Sequence, residues 1–335
     1  MEQAIAIGNP GHPAPVPRRG PASSRNLPVA LFGSVMGLSG LALAWRVAHH
    51  SLGVSAWIAE AIGALAVGVF LLLAVGYLAK LAMHRDAVLE EFRHPVASNF
   101  FGTIVIAILL LSAIVAPYAQ AFAQGIWTSG VVLTFALSFV VIGRLLEGKV
   151  SAAHAVPAWL IPGVATLDIA VTGAHMPMAW AAEVNLAALA VGTVLALVLY
   201  ALIVGRLVHQ EPMAKAMRPS LVVLVAPFAV GHLAYTNVLG GADAFSALLF
   251  YFGLFIFVVV APKVFRREVP FSPGWWAISF PMAALTNAAL KYAAARDTLA
   301  LTAIAVVLLG ALTAAIAVLA WRTVRIALNG QLLSA

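Results

Sequence analysis

The chain has 335 residues, of which 63% are hydrophobic and only 9% are charged. A soluble domain carries about 25% charged residues, so this composition excludes a protein whose whole surface faces water. Apolar runs of about 18 residues or more recur along the chain, each long enough to cross a hydrocarbon core of about 30 Å as a helix. Because backbone polar groups inside a bilayer must be satisfied within the segment, these runs predict an all-α membrane protein.

The apolar runs also divide the chain. Residues 1–27 are rich in proline and arginine, and we expect them to form a flexible cytoplasmic tail rather than a signal peptide. Residues 28–326 are expected to form a ten-helix transmembrane domain, and residues 327–335 a cytoplasmic C-terminal end. The ten spans are predicted at about 28–48, 54–79, 99–118, 126–143, 155–174, 183–205, 219–238, 242–262, 273–291 and 299–321.

Basic residues in the predicted loops indicate the orientation of the chain. Of the 19 lysines and arginines, all except Arg46, Lys291 and Arg296 lie in the tail or on one side of the predicted spans. Cytoplasmic loops carry such an excess of positive charge. We therefore expect both termini to be cytoplasmic, and the dispersal of the charges argues against nucleic-acid binding.

The prolines follow the numbering of the spans. Pro162, Pro227 and Pro281 lie in the fifth, seventh and ninth spans. The even-numbered spans have no internal proline, and Pro262 marks the end of the eighth. Proline kinks a helix, and a membrane tolerates the kink where neighbouring helices or a water-filled cavity satisfy the freed carbonyls. This pattern predicts five helical hairpins around a central pore, with kinked odd helices inside and straighter even helices outside.

Glycines accompany the first span. Gly33 and Gly37, followed by Gly40, form a small-xxx-small pattern that allows two helices to approach closely. Helix packing is the favoured role for these residues, and we expect Gly33 and Gly37 at the wall of the pore.

Two ionisable residues are candidates for contact with an anion or a proton, since charge inside a membrane is costly and usually functional. Asp168 is the carboxylate placed well inside a span, although it could instead lie in water near the external interface. Lys291 ends the ninth span and could either attract an entering anion or extend to the external surface.

Other chemistry finds no support in the sequence. The chain has no cysteine, and its nine histidines form no His-x-x-x-His pair. Phosphate-binding and nucleophile motifs are also absent from the sequence. We expect no metal, no cofactor, no catalytic residue and no enzymatic activity.

Several segments resemble the plant slow anion channel and bacterial TehA family, also called the tellurite-resistance/dicarboxylate transporter family. The segment from Trp275 to Met282, which includes Phe280 and Pro281, resembles the ninth helix of that family. The resemblance extends over residues 28–330. It includes one segment at each of the first, third, fifth and seventh spans, in this order: Phe32-Gly33 with Gly37-Leu38, His94-Pro95-Val96, Pro157-Ala-Trp-Leu-Ile-Pro162 and Ala226-Pro227.

The resemblance implies a homotrimer in the inner or plasma membrane, in which each protomer has its own pore. It also implies that Phe280 closes this pore and acts as its gate. An anion channel for small anions is the favoured function. A proton-coupled secondary transporter of C4-dicarboxylates or sulfite, with Asp168 as the proton carrier, is the alternative.

Overall fold

The structure, a computed structural model, describes residues 23–148, 151–266 and 268–333. Every regular element in these ranges is helical, as the sequence predicted. Most of the predicted tail and two of the loop charges, Lys149 and Arg267, lie outside the described residues. The described α-helices are α1 (Phe32–Leu52), α2 (Ala56–Met83), α3 (Arg85–Arg93), α4 (Gly102–Val115), α5 (Gln120–Leu146), α6 (Leu160–Gly173), α7 (Ala181–His209), α8 (Ala226–Leu239), α9 (Ala244–Val264), α10 (Ser279–Arg296) and α11 (Leu299–Leu328).

Eight helical segments of the described chain are long and apolar enough to cross a membrane, by length and composition alone. They correspond to eight of the ten predicted spans. The span predicted at 155–174 contains the shorter apolar helix Pro157–Gly173. The span predicted at 273–291 contains α10, which carries the polar residues Thr286, Asn287 and Lys291. The count of ten spans therefore stays a prediction.

Consecutive long helices pack against each other in pairs: α1 with α2, α4 with α5, α6 with α7, α8 with α9, and α10 with α11. The first helix of each pair also packs on the first helix of the next, and α10 packs back on α1. Burial differs sharply between the two groups. In the most apolar stretch of each span, 67–78% of residues are buried in Val29–Leu52, Ala97–Val115 and Lys215–Leu239, but only 17–33% in α2, α5, α7, α9 and α11.

The helices α1, α4, α6, α8 and α10 begin in the same way. Each follows a 3-10 helix: Val29–Leu31, Ala97–Phe101, Pro157–Trp159, Lys215–Val225 and Pro273–Ile278. Pro162, Pro227 and Pro281 lie in the first turn of α6, α8 and α10, directly after these segments. Proline is tolerated best in a first turn, where the missing N–H costs little. Bends at these prolines stay a prediction.

Glycines of α1 bring this helix into close contact with α10. A Cβ atom added to Gly37 would lie 2.5 Å from Ser279 Oγ, and one added to Gly40 would lie 2.6 Å from the Cβ of Ala283. Ser279 is itself held in place, because its hydroxyl donates to the carbonyls of Trp276 (2.7 Å) and Gly33 (3.2 Å). The two helices can therefore reach this separation only because α1 has no side chain at these positions.

Gly37→Ala is expected to destabilise the protein by about 1–3 kcal/mol, the usual effect of forcing an extra methyl group into a packed interface. Thermal unfolding in detergent measures the effect. Gly68→Ala in α2 is the matched control, since a Cβ atom added to Gly68 would have nothing within 4 Å. This variant should be as stable as the parent, or slightly more stable because alanine favours helix. Equal unfolding temperatures for the two variants would contradict the close contact.

A buried ion pair joins α2, α3 and the segment that leads into α1. Lys80 Nζ donates to Glu91 Oε2 (2.7 Å) and to the carbonyl of Leu27 (2.8 Å), while Glu91 also accepts from Tyr77 Oη (3.0 Å) and the Val29 N–H (2.9 Å). The Lys80 side chain is only 4% exposed. The network therefore fixes the start of α1 against α2 and α3.

A second ion pair lies beside this network but in solvent. Arg25 Nη2 is 2.6 Å from Asp86 Oδ2, and both side chains are exposed. The hydrogen bond from Arg25 lowers the pKa of the Asp86 carboxyl. This pair tethers the described end of the N-terminal segment to α3.

Candidate functional site

A cavity of about 650 Å³ lies between α1, α4, α6, α8 and α10. Its wall comes from the middle and C-terminal parts of α1, α4, α6 and α8, and from α10 between Phe280 and Lys291. The first turn of α5 and the loops that follow α4 and α6 complete it. Most of the wall is apolar. The charged, titratable or amide side chains on it include Arg46, His50, Asp168, His175, Asn287 and Lys291. This volume is in the range of cavities that bind small molecules.

A second, much smaller cavity also adjoins Phe280. The second cavity, of about 30 Å³, is lined by the N-terminal parts of the same five helices, and Phe280 lines both. A volume of this size holds about one water molecule. Phe280 is 7% exposed and contributes to the walls of both the wide cavity and the narrow one.

The position of Phe280 follows from the local sequence. It is the second residue of α10, between the 3-10 helix Pro273–Ile278 and Pro281. Proline restricts the backbone of the residue that precedes it. Pro281 also lines the smaller cavity. The ring thus lies where the backbone changes from 3-10 to α-helical hydrogen bonding.

Two asparagines connect the helices around the large cavity. Asn287 of α10 donates to the carbonyl of Gly40 in α1 (3.0 Å) and to that of Ala283 (2.8 Å). Asn237 of α8 donates to the carbonyl of Val171 in α6 (2.8 Å). These bonds join neighbouring helices through side chains that line the cavity.

Lys291 lies on the cavity wall, where Asn237 positions it. Its Nζ donates to Asn237 Oδ1 (2.8 Å). The amide therefore accepts from the ammonium group of α10 while it donates to the backbone of α6. An ammonium group has three donors, so this hydrogen bond leaves two of them for other partners.

Asp168 is buried in the wall of the same cavity. The residue is 1% exposed, and its carboxylate oxygen Oδ2 has no hydrogen-bond partner within the described part of the chain. Asp168 thus lies in the interior of the helix bundle, on the wall of the large cavity. Its backbone carbonyl accepts from Thr172 Oγ1 (2.8 Å).

Arg46 is a cavity residue that the sequence did not single out as a site residue. Its guanidinium donates to Glu60 of α2 (3.1–3.3 Å) and to the carbonyl of Ala113 in α4 (3.1 Å). Tyr118 also donates to Glu60. Glu60 therefore partly neutralises Arg46 near the end of the cavity that lies away from Phe280. The sequence did contain one indication of this role, because Arg46 is one of the three basic residues predicted on the side opposite the other basic residues.

The remaining predicted site residues occupy four different places. Gly33 lines the smaller cavity and also packs on Trp276 of the 3-10 helix. Gly37 packs on Ser279. Pro227 lines a separate cavity between α7, α8 and α9. The carbonyl of Pro162 accepts from Thr166 Oγ1 (3.1 Å) and Ser138 Oγ (3.4 Å).

The fold and the cavity define a multi-pass helical membrane protein that encloses a partly charged cavity among its central helices. Residues 26–324 match the SLAC1 family, described as a voltage-dependent anion channel, and the chain belongs to this family. Its members include channels and transporters of anions. The match covers the described helices from the start of α1 almost to the end of α11.

Relatives occur in plants, archaea and bacteria. The S-type anion channel SLAH3 of Arabidopsis thaliana is 28% identical over 275 residues, which cover 79% of this chain and 43% of SLAH3. The uncharacterized transporter MJ0576 of Methanocaldococcus jannaschii is 25% identical over 283 residues, or 78% of this chain and 82% of the relative. The tellurite resistance protein TehA homolog of Haemophilus influenzae is 23% identical over 279 residues, covering 79% and 81%. The chain spans about half the length of the plant channels that it matches.

Proposed function

We propose that this protein is an anion channel in which small anions pass between α1, α4, α6, α8 and α10. One observation carries the proposal: two cavities lined by the same five helices adjoin a single residue, Phe280. A path along the axis of these helices is interrupted where the ring lies. The similarity to S-type anion channels supports anions as the permeating species.

Phe280 is the proposed gate. A hydrophobic constriction blocks ions by excluding the water that would accompany them. The ring has no fixed charge, so it can close the path without trapping an anion. Displacement of the ring toward either cavity would join the two. Arg46 and Lys291, on the wall of the wider cavity, supply positive charge that attracts anions to this side of the gate.

The proposed architecture has ten membrane helices in five hairpins, with α1, α4, α6, α8 and α10 inside and α2, α5, α7, α9 and α11 outside. Support comes from the pairwise packing of consecutive helices and from the higher burial of the inner spans. Polar residues of α10 that reduce its hydropathy, such as Asn287 and Lys291, line the cavity. Their cost in a membrane would be offset by neighbouring polar groups and water in that cavity.

The transmembrane domain is proposed to cover residues 28–326, with both termini in the cytoplasm. The bias of basic residues toward one side of the predicted spans supports this orientation. The family resemblance supports a homotrimer in the plasma or inner membrane, with one pore in each protomer.

A second function, proton-coupled secondary transport of C4-dicarboxylates or sulfite, is favoured by one specific observation. Asp168 is a buried carboxylate on the wall of the large cavity, with an oxygen that no described residue binds. Buried carboxylates in membrane proteins are frequent proton carriers.

Ion-substitution recordings on the purified protein in planar bilayers test the proposed function. A channel gives a current that reverses at the equilibrium potential of the anion and does not depend on a proton gradient. A proton-coupled transporter instead gives saturable uptake that follows the proton gradient. If neither the protein nor its Phe280→Ala variant passes any anion, the proposal is wrong.

A further inference from the structure

We propose that Glu60 of α2 sets how strongly the large cavity attracts anions, although Glu60 does not line that cavity. It acts by holding the guanidinium of Arg46 in an ion pair at the end of the cavity that lies away from Phe280. We call this end the mouth. The inference rests on the proposed function and concerns the regulation of the same path. Glu60 is in this sense a positioning residue, which acts on the anion through Arg46.

The mouth lies between the end of α1, the start of α5 and the loop after α6, and its lining includes Arg46, His50, Gln120 and His175. Gly37 of α1 packs on Ser279, the residue before Phe280. Arg46 follows Gly37 by nine residues, which places it about 14 Å further along α1. A charge on Arg46 therefore acts on an anion in the mouth, at a distance from the proposed gate.

Glu60 and the end of α4 hold the Arg46 guanidinium from two sides. Its Nε and Nη2 donate to the Glu60 carboxylate (3.1–3.3 Å), while Nη1 donates to the carbonyl of Ala113 (3.1 Å) and Nη2 to that of Ile114 (3.4 Å). Tyr118, in the turn after α4, also donates to Glu60. Contact at two points between a guanidinium and a carboxylate fixes the orientation of both groups. Glu60 thus fixes Arg46 at the wall of the mouth.

The lysine and the arginine on the cavity wall differ in their partners. Lys291 Nζ donates to the neutral amide of Asn237 (2.8 Å), which does not offset its charge. Arg46 Nη2 is 3.1 Å from a carboxylate oxygen of Glu60. The fields of two opposite charges at this separation largely cancel at the greater distance of an ion in the cavity. The wild-type cavity therefore attracts anions mainly through Lys291, because Glu60 offsets the charge of Arg46.

The exposure of the pair favours an electrostatic role over a stabilising one. The Arg46 side chain is 18% exposed and that of Glu60 is 38% exposed. Ion pairs that water reaches contribute little to stability, because solvent screens them and the side chains lose entropy. Charges at a cleft with low-dielectric walls have a larger effect on the local concentration of ions. Loss of the Glu60 charge should therefore change ion entry more than folding.

The chloride conductance of Glu60→Gln at two salt concentrations tests the proposal. Glutamine keeps the size of the side chain and an acceptor oxygen but removes the negative charge. The variant is made in the wild type and in Phe280→Ala, so that a closed gate does not hide the effect. At about 10 mM salt, where the Debye length is about 30 Å, we expect the conductance to rise about threefold. At about 1 M salt, where the Debye length is about 3 Å, the rise should disappear.

Glu183→Gln is the matched control. Glu183 is an exposed carboxylate in the first turn of α7 and does not belong to the cavity lining. Its replacement makes the same change in net charge at a greater distance from the path, so the low-salt conductance should stay almost unchanged. A purely structural effect of Glu60→Gln would change the conductance by the same factor at low and at high salt.

A double variant gives an independent test. Arg46→Gln alone leaves Glu60 as an unbalanced negative charge beside the mouth, and the low-salt conductance should fall about threefold. Adding Glu60→Gln to Arg46→Gln removes this charge and should raise the low-salt conductance again by about the same factor. The double variant leaves neither charge without its partner, so it tests the proposal even if Glu60→Gln alone fails to fold.

The outcomes separate this inference from the proposed function. If neither the wild type nor Phe280→Ala passes any anion, the proposed function fails, and the inference with it. If chloride passes but folded Glu60→Gln conducts like its parent at low salt, or its increase persists at high salt, the role of Glu60 is wrong and the channel remains. Equal low-salt conductances of Arg46→Gln and the double variant would likewise overturn the inference.

Discussion

Replacing Phe280 by alanine is expected to raise the anion conductance of the protein by about tenfold or more. The ring lines both the 650 Å³ cavity and the 30 Å³ cavity, so its removal leaves space between them. A continuous wet path removes the cost of taking an ion through an apolar constriction. Lowering that barrier by only about 1.4 kcal/mol gives a factor of ten in rate. Single-channel or macroscopic currents in one bilayer preparation measure the difference.

Phe228→Ala is the matched control for this variant. Phe228 is a phenylalanine of α8 with nearly the same burial, 6% exposed against 7% for Phe280. It packs on Tyr200 and Phe252, away from both axial cavities. Both variants lose the packing of a buried ring, so a general effect of destabilisation should appear in both. Equal currents from Phe280→Ala and the wild type, with assembly intact, would show that this residue is not the gate.

Glu91→Gln is expected to destabilise the protein by about 3–5 kcal/mol, the usual effect of leaving a buried charge without its partner. Lys80 has an exposed side-chain fraction of only 4%, and with glutamine at position 91 its ammonium group keeps neutral acceptors such as the carbonyl of Leu27 but no counter-charge. The start of α1, held by the Val29 N–H on Glu91, would loosen as well. Thermal unfolding in detergent measures the loss.

The exposed pair Arg25–Asp86 provides the comparison for this prediction. Both of its side chains are about half exposed or more, and exposed ion pairs contribute little. Asp86→Asn should therefore leave the unfolding temperature almost unchanged. The double variant Lys80→Met with Glu91→Leu removes both buried charges and should recover part of the stability lost in Glu91→Gln. If the single and double variants unfold at the same temperature, the loss does not come from an isolated charge.

The helical class and the more buried helices could be predicted from the sequence, because both follow from composition along the chain. The apolar runs predict helices in any membrane, and proline is tolerated where neighbours surround the backbone. Accordingly, the spans with prolines include those that the structure buries most. Gly37 and Gly40 were also recognisable, since their spacing already predicts a close helix contact.

The polar lining of the cavity was harder to predict from the sequence, because it depends on contacts between distant parts of the chain. Asn237 binds Val171, which is 66 residues away, and Lys291, which is 54 residues away. Nothing near Asn237 in the sequence indicates either partner. Arg46 faces the cavity because α1 packs on α4 at the level of Ala113. The direction of the Arg46 side chain is set by how α1 packs on its neighbours. The pattern of apolar and polar residues along α1 alone cannot specify it.

The 3-10 helix Lys215–Val225, which leads into α8, has a mechanical consequence. It contains 11 residues, whereas such helices rarely exceed three or four. A 3-10 helix rises about 2.0 Å per residue and an α-helix about 1.5 Å, so conversion of the whole segment would shorten it by about 5.5 Å. The turn per residue would also decrease, from about 120° to about 100°. Any interconversion in this segment is therefore a screw motion, in which one end advances by about a helical turn while the side chains rotate to new neighbours.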